Sequence, residues 1–284
     1  MAKTGLVLEG GGMRGMFTVG VTDVLMEHGV EFDGVVGVSA GAAFGCNYKS
    51  RQPGRALRYN VRYCRDRRYC GLWSLLTTGN LFGAWSYHEL PERYDIFDTE
   101  AYEANPMEFI AVCTDVETGL PVYHECRECT HETYDWIRAS ASMPLASRIV
   151  HLGGQALLDG GVTDSIPLEF MERRGYDRNL VILTQPEGYQ KQQSSLQPVL
   201  RWWMRRHPRF VEAMDRRPEM YNAQLRYVHQ RAVEGKALVL CPDAKLPINH
   251  VTRSPQLLRE TYDLGRAVAE RQLPAIEEFL ASGH

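Results

Sequence analysis

The sequence predicts an α/β fold with a largely parallel central sheet and a mainly helical C-terminal region. Three observations carry that prediction. Short apolar runs alternate with stretches of helical spacing, two of the runs end in glycine-containing turns, and the last third of the chain is dominated by helical periodicity. Gly5 to Glu9 is a near-continuous apolar run that stops at glycines, as expected for a strand buried on both faces. Residues 15 to 28 hold Met16, Val19, Val24 and Leu25 among their apolar positions and no proline. Gly29 stands just beyond, so a helix with a glycine stop is expected. Val35 to Val38 gives a second strand. Phe109 to Cys113 gives a third, which turns through Glu117 to Pro121 into a hairpin at Val122 and Tyr123, and Leu180 to Leu183 gives another. Residues 185 to 198 are polar and aperiodic, which places a boundary near 187 and divides the chain into 1–186 and 187–284. Beyond it, 199–232 and 255–282 read as helices flanking a short strand at Ala237 to Leu240.

Composition bounds the function. With 284 residues, 44% hydrophobic and 24% charged, the chain has enough apolar material for a sizeable core without disulfides or structural metal. The uncharged run from Tyr69 to His88 is too diluted by glycine, threonine, serine and asparagine to span a bilayer. The N-terminus enters a strand at once, which leaves no room for a secretory leader and makes the cytoplasm the expected location. Seven cysteines, an odd number, are read as thiols. The formal net charge of −3 argues against a general nucleic-acid binder. It conceals an uneven distribution, with eight basic residues against one acidic from Lys49 to Arg68, and thirteen acidic against two basic from 70 to 135.

The first strand is followed by Gly10-Gly11-Gly12-Met13-Arg14-Gly15, a glycine-rich turn that opens a helix. Gly10, Gly12 and Gly15 satisfy the dinucleotide fingerprint, and Asp33 lies at about the distance of a ribose-binding acid. Asp33 precedes the second strand, however, whereas a ribose acid belongs at its carboxyl end. Ser39 occupies that end. It lies within Gly37-Val38-Ser39-Ala40-Gly41, a G-x-S-x-G between a strand and a helix, which is the setting of a nucleophile elbow. Pairing of the two strands would set the glycine turn beside Ser39. The backbone N–H groups of Gly11, Gly12 and Met13 would then face a developing oxyanion, aided by helix N-termini. A base is offered by Asp159, at the end of an apolar run and before Gly160 and Gly161. His207, His229 and His250 follow it in the order of a Ser-Asp-His triad, none of them in a recognisable motif.

Together with Ala139-Ser140-Ala141-Ser142-Met143-Pro144, these motifs resemble the patatin-like phospholipases over residues 4 to 185. The glycine turn, the serine elbow, the A-S-x-x-x-P block and the D-G-G follow one another in the family's order. The resemblance implies a three-layer fold and a Ser39-Asp159 dyad that hydrolyses lipid esters through an acyl-enzyme, with no cofactor. It implies a lipid or acyl-ester substrate. From Pro218 the tail resembles, loosely, an extension of some bacterial members. Acyl transfer or thioester cleavage by the same dyad is the nearest alternative, and a dinucleotide-binding module is the alternative of another class. Oligomeric state and headgroup are not legible.

Three weaker signals stand apart. Arg51, Arg55, Arg58, Arg62 and Arg65 recur at helical spacing and read as a solvated face paired with the acidic segment that follows, ahead of a headgroup-binding stripe. Trp73, Leu75, Leu76, Leu81, Phe82 and Trp85, and again Trp202 and Trp203 among arginines, read either as buried packing or as a peripheral membrane contact. His124, Cys126, Cys129 and His131 are packed too closely in sequence to wrap a tetrahedral zinc, so no metal is expected.

Overall fold

The computed structural model describes residues 3–282. Its eight strands are β1 (Lys3–Leu8), β2 (Gly34–Val38), β3 (Glu108–Asp115), β4 (Pro121–Glu125), β5 (Val150–Leu152), β6 (Gln155–Asp159), β7 (Tyr176–Ile182) and β8 (Ala237–Leu240). They form one sheet in the order β5-β6-β3-β2-β1-β7-β8, with β4 paired to β3. The β1–β2, β2–β3, β1–β7 and β7–β8 pairs are parallel, whereas β3–β4, β3–β6 and β5–β6 are antiparallel.

Ten α-helices surround the sheet: α1 (Gly15–Glu27), α2 (Ala40–Lys49), α3 (Arg55–Tyr63), α4 (Leu72–Thr78), α5 (Thr99–Ala104), α6 (His131–Ser140), α7 (Leu168–Arg173), α8 (Gln197–Trp203), α9 (Pro208–Val233) and α10 (Pro255–Ala281). Alternation along the central strands sorts them into two layers. Leu6, Leu8 and Val35 enter a core with Phe17 and Val21 of α1, Ala42 of α2 and Val268 of α10. Val7, Val36 and Ile110 point the other way, to Met171 of α7 and Tyr221 and Val228 of α9. The result is a helix–sheet–helix sandwich with a largely parallel sheet, as predicted. Gly20 and Gly265 let α1 and α10 approach backbone to backbone, because a Cβ on either would strike a carbonyl of the other helix.

The residues after 187 complete both layers. β8 extends the sheet beyond β7, α10 lies against α1, and α8 and α9 close a third apolar cluster over Leu158 of β6 through Leu200, Phe210 and Met214. One local reading differs from the prediction. The single helix expected over 199–232 is broken between Trp203 and Pro208, where Pro208 opens a new helix without needing a backbone donor. The apolar run before Asp159 is one arm of the β5–β6 hairpin, turned at Gly153 and Gly154, both at positive φ.

The arginine-rich helix is α3. Arg58 makes a bidentate pair with Asp95 at 2.8 Å, and Arg55, buried, hydrogen-bonds the Asp95 carbonyl and the Asn47 side chain. The acidic segment therefore receives the stripe in part. Of the closely spaced His/Cys quartet, His124 stacks on Trp136, Cys126 is buried, Cys129 contacts the Tyr134 hydroxyl and His131 pairs with Glu92. No helix among the described residues is long and apolar enough to cross a membrane.

Candidate active site

Strand register brings Ser39 and Asp159 to one place. β2 pairs with β3 as far as Val38 opposite Val112, and β6 takes up the next stretch of β3 with Asp159 opposite Cys113. The residue after Val38 and the last residue of β6 are thus set at adjacent positions along the same strand. Both side chains are buried, and both open into a cavity of about 370 Å³.

Ser39 has φ 55° and ψ −119°, a left-handed conformation that an L-residue adopts only when its surroundings enforce it. Three contacts do so. A Cβ on Gly10 would come within 2.9 Å of the Ser39 Cβ and the Val38 carbonyl, one on Gly37 would meet the backbone of Ala42, and one on Gly41 would strike the Leu8 carbonyl. The Ser39 N–H donates to the Ser140 hydroxyl at 2.9 Å, and that hydroxyl donates to the Val112 carbonyl at 2.6 Å. α2 starts at the next residue, so its unpaired N–H groups add positive potential beside the hydroxyl.

The Asp159 carboxylate accepts the Gly161 N–H at 2.8 Å, and its own backbone N–H donates to the Ser142 carbonyl at 2.9 Å. Burial raises the carboxyl above its ordinary range, opposed by the Arg217 charge, the Ser39 hydroxyl and the Gly161 N–H. Gly160 must lack a side chain because a Cβ there would run into the Val112 carbonyl. The segment 139–144 therefore ties the serine through Ser140 and the acid through Ser142.

The glycine turn lies along the same cavity, with Gly10, Gly11, Gly12 and Arg14 in its wall. One expected donor is withdrawn. The Met13 N–H donates to the His250 carbonyl at 3.2 Å, because Gly12, at φ 56°, lets the 249–251 loop settle directly on the turn. The N–H groups of Gly11 and Gly12, both in the wall of the cavity, have no acceptor among the described residues. The Met13 side chain instead lines a second, apolar cavity of about 80 Å³, walled by residues such as Phe44, Tyr59, Phe82 and Ile137. Gly15 packs under the Phe44 ring. Ser39, Gly12 and Met143 border both cavities, so the hydroxyl stands where a small apolar cavity meets a wider one that carries charged side chains.

The alternative readings meet different fates. Asp33 accepts the Thr4 N–H at 2.7 Å and hydroxyl at 3.0 Å, at the end of the sheet opposite the glycine turn, which removes the ribose acid of a dinucleotide site. His207 pairs with Glu117, away from Ser39. His250 does reach the cavity, where Arg14 Nη1 approaches its Nε2 at 3.1 Å. The residue is exposed at its edge, yet the protein packed around its ring and the charges of Arg14, Lys191 and Arg217 hold its pKa down to about 3. It is a neutral imidazole with an arginine neighbour, poorly suited to take a proton.

Several wall residues were invisible to sequence reasoning. Glu9, buried, accepts from the Thr184 N–H and hydroxyl and from the Tyr221 hydroxyl, which locks the end of β1 to β7 and α9. Arg217 Nε donates to the Gly161 carbonyl at 2.6 Å. Lys191 is clamped through its backbone by both polar atoms of the Asn222 side chain.

Comparison with known proteins agrees with this architecture. A family model described as a patatin-like phospholipase matches residues 6–171, and one described as a domain of unknown function (DUF6363) matches residues 207–281. The uncharacterized protein YjjU of Escherichia coli is 28% identical over 98% of this chain and 79% of its own length. Lysophospholipase NTE1 of Debaryomyces hansenii is 27% identical over 97% of this chain, which spans only 18% of that much longer protein. VipD from Legionella pneumophila shares the fold, with a TM-score of 0.50 at 10% identity over 97% of this chain and 67% of VipD. With more than half of its length matched by the family model, the chain belongs to the patatin-like phospholipase family.

Proposed function

We propose that the protein is a lipid acyl hydrolase in which Ser39 attacks the ester carbonyl and Asp159 accepts its proton. The observation that carries this reading is the junction at Ser39, where one hydroxyl borders a narrow apolar cavity and a wider one walled in part by charged side chains. An acyl chain fits the first and an alcohol moiety the second, which places the scissile carbonyl at the hydroxyl between them. In the first half-reaction the Ser39 oxygen bonds to the carbonyl carbon, the Gly11 and Gly12 N–H groups receive the oxyanion, and the alcohol departs with the proton held by Asp159. Water then repeats the sequence on the acyl-serine, with Asp159 again as base. The charge of Arg217 opposes the rise that burial imposes on Asp159 and so favours its basic, ionised form. The Lysophospholipase name of the NTE1 relatives accords with a single-chain ester as substrate.

Transfer of the acyl group to another alcohol, or release from a thioester, would use the same serine, and no observation favours either. Leu72, Trp73 and Leu76 on α4, and Val199, Trp202 and Trp203 on α8, are exposed, and Leu196 and Leu200 at α8 reach the wider cavity. These residues are suited to rest on a lipid surface at the cavity mouth. The test of the reaction is a fluorophosphonate probe with peptide mapping, alongside turnover of short-chain esters. Label on Ser39, lost together with turnover in Ser39→Ala, is the expected result. Undiminished turnover in Ser39→Ala would end the proposal.

A further inference from the structure

We propose that Arg14, Lys191 and Arg217 form a headgroup subsite that selects esters carrying a net negative phosphate over zwitterionic and neutral ones. The inference rests on the hydrolase reading, since it concerns the leaving alcohol of that reaction. All three cations line the wider cavity that holds Ser39 and Asp159. Among the described residues none of them lies within 4 Å of a carboxylate, unlike Arg55, Arg58, Arg174, Arg231 and Arg266 elsewhere in the chain. Their geometry is held by neighbouring residues other than carboxylates. Arg217 is anchored by its Nε to the Gly161 carbonyl, Lys191 by its backbone to Asn222 with its ammonium 4.8 Å from the Tyr221 ring centre, and Arg14 by its contact with His250. Arg14 Nε is one of seven buried side-chain polar atoms without a hydrogen-bond partner among the described residues, and of the three cations' donors it is the one left so inside the wall.

The sign of the cavity argues for an anion. Gathering like charges is unfavourable, and the strain is visible in its neighbours. Burial, then the Arg217 and Arg14 charges, bring the Lys191 ammonium down to about 8, and His250 is neutral for the same reason. A phosphate set among the three would relieve that repulsion and fit the guanidinium forks of the two arginines. The carboxylates of the wall are already engaged. Glu9 is taken up by Thr184 and Tyr221, and Asp159 by Gly161 and its place beside Ser39. Three cations against two engaged carboxylates leave the wall with an excess of positive charge, which favours a net anion over a headgroup that also carries a quaternary ammonium.

The experiment compares three esters with the same short acyl chain below micelle formation: a 1-acylglycerol 3-phosphate, the matching phosphocholine ester and the matching 1-acylglycerol. The expected order of kcat/KM is phosphate, phosphocholine, acylglycerol, with the phosphate ester about tenfold above the acylglycerol. Lys191→Met is expected to compress that ratio severalfold, and Lys191→Glu to invert it. Circular dichroism would establish that both variants fold. Equal kcat/KM for the three esters, or a ratio unmoved in both Lys191 variants, would overturn the subsite and leave the serine reading standing. Failure of every ester together with no fluorophosphonate label on Ser39 would overturn the serine reading itself. Inorganic phosphate separates the two sources of the anion. Competitive inhibition against the phosphate ester supports a headgroup site, whereas equal inhibition of all three esters with no preference among them means a site for free phosphate and overturns the proposal.

Discussion

The Ser140 hydroxyl accepts the Ser39 N–H at 2.9 Å while donating to the Val112 carbonyl at 2.6 Å, so one side chain from the end of α6 pins the serine turn to β3. Both bonds are buried, and neither group has water as an alternative partner. Ser140→Ala is expected to orphan one donor and one acceptor at a cost of about 1–3 kcal/mol each way of counting. Released from its strained φ, Ser39 should lose roughly 10- to 100-fold in kcat with little change in KM. Thermal melts and steady-state kinetics check the two parts separately. A stability loss with kcat intact would show that the turn holds itself.

Asp159→Asn separates chemistry from stability. The carboxyl is raised by burial, so its charged form is disfavoured in the fold, and its contribution to stability is lost as pH rises through that raised value. At pH 7 the charge is therefore a burden that the amide removes. The variant is expected to melt no lower than the parent protein, while ester turnover falls by at least ~1,000-fold. Lowered melting together with residual turnover would contradict the assigned role.

Arg217 acts on the acid from α9. Its charge opposes the rise caused by burial, so the acidic limb of the pH–rate profile should begin above the ordinary carboxylate range and move to still higher pH in Arg217→Met. The profile is to be measured as kcat/KM with a neutral ester, which removes headgroup effects. A purely structural role for Arg217 would lower activity at every pH without moving the limb.

Asp23 offers a stability prediction remote from the site. Buried in α1, it accepts the Gly54 N–H at 2.8 Å and the Tyr262 hydroxyl at 2.9 Å, and burial brings its carboxyl up from 3.8 to about 6. The native state thus binds its proton more tightly than the unfolded chain does, and stability attributable to this group falls as pH rises from about 4 to above 6. A shift of this size corresponds to at most about 3 kcal/mol. Asp23→Asn keeps an oxygen for both donors and carries no charge, so it is expected to raise melting at pH 7 and to flatten its decline between pH 5 and 7. Unchanged melting curves across that range would refute the account.

Much of the centre of the molecule was legible because its signals are local. Gly10 to Gly15 and Gly37 to Gly41 each punctuate a strand-to-helix passage, and the steric reasons that require glycine there act within a few residues or across one strand pair. What escaped depends on distance along the chain. The sequence contains no hint that β6 would take over β3 where β2 stops, although that register is what joins Asp159 to Ser39. Nor could the approach of His250 to Gly12 be foreseen, so the Met13 N–H was counted as free when a carbonyl 237 positions later occupies it. The tryptophans of α8 show the same limit. Trp202 and Trp203 have the composition of either a packed or an exposed pair, and only the placement of α8 over β6 resolves that they are 66% and 57% exposed.

Lys191, Arg217 and His250 all lie downstream of residue 171, whereas Ser39, Asp159 and the glycine turn lie upstream of it. Two of the three cations of the wider cavity thus come from the downstream segment, and the third, Arg14, from the upstream one that holds Ser39 and Asp159. Change in the downstream segment can therefore alter two of the charges beside Ser39 while every upstream motif stays as it is. Paralogues sharing every upstream motif need not share a diet.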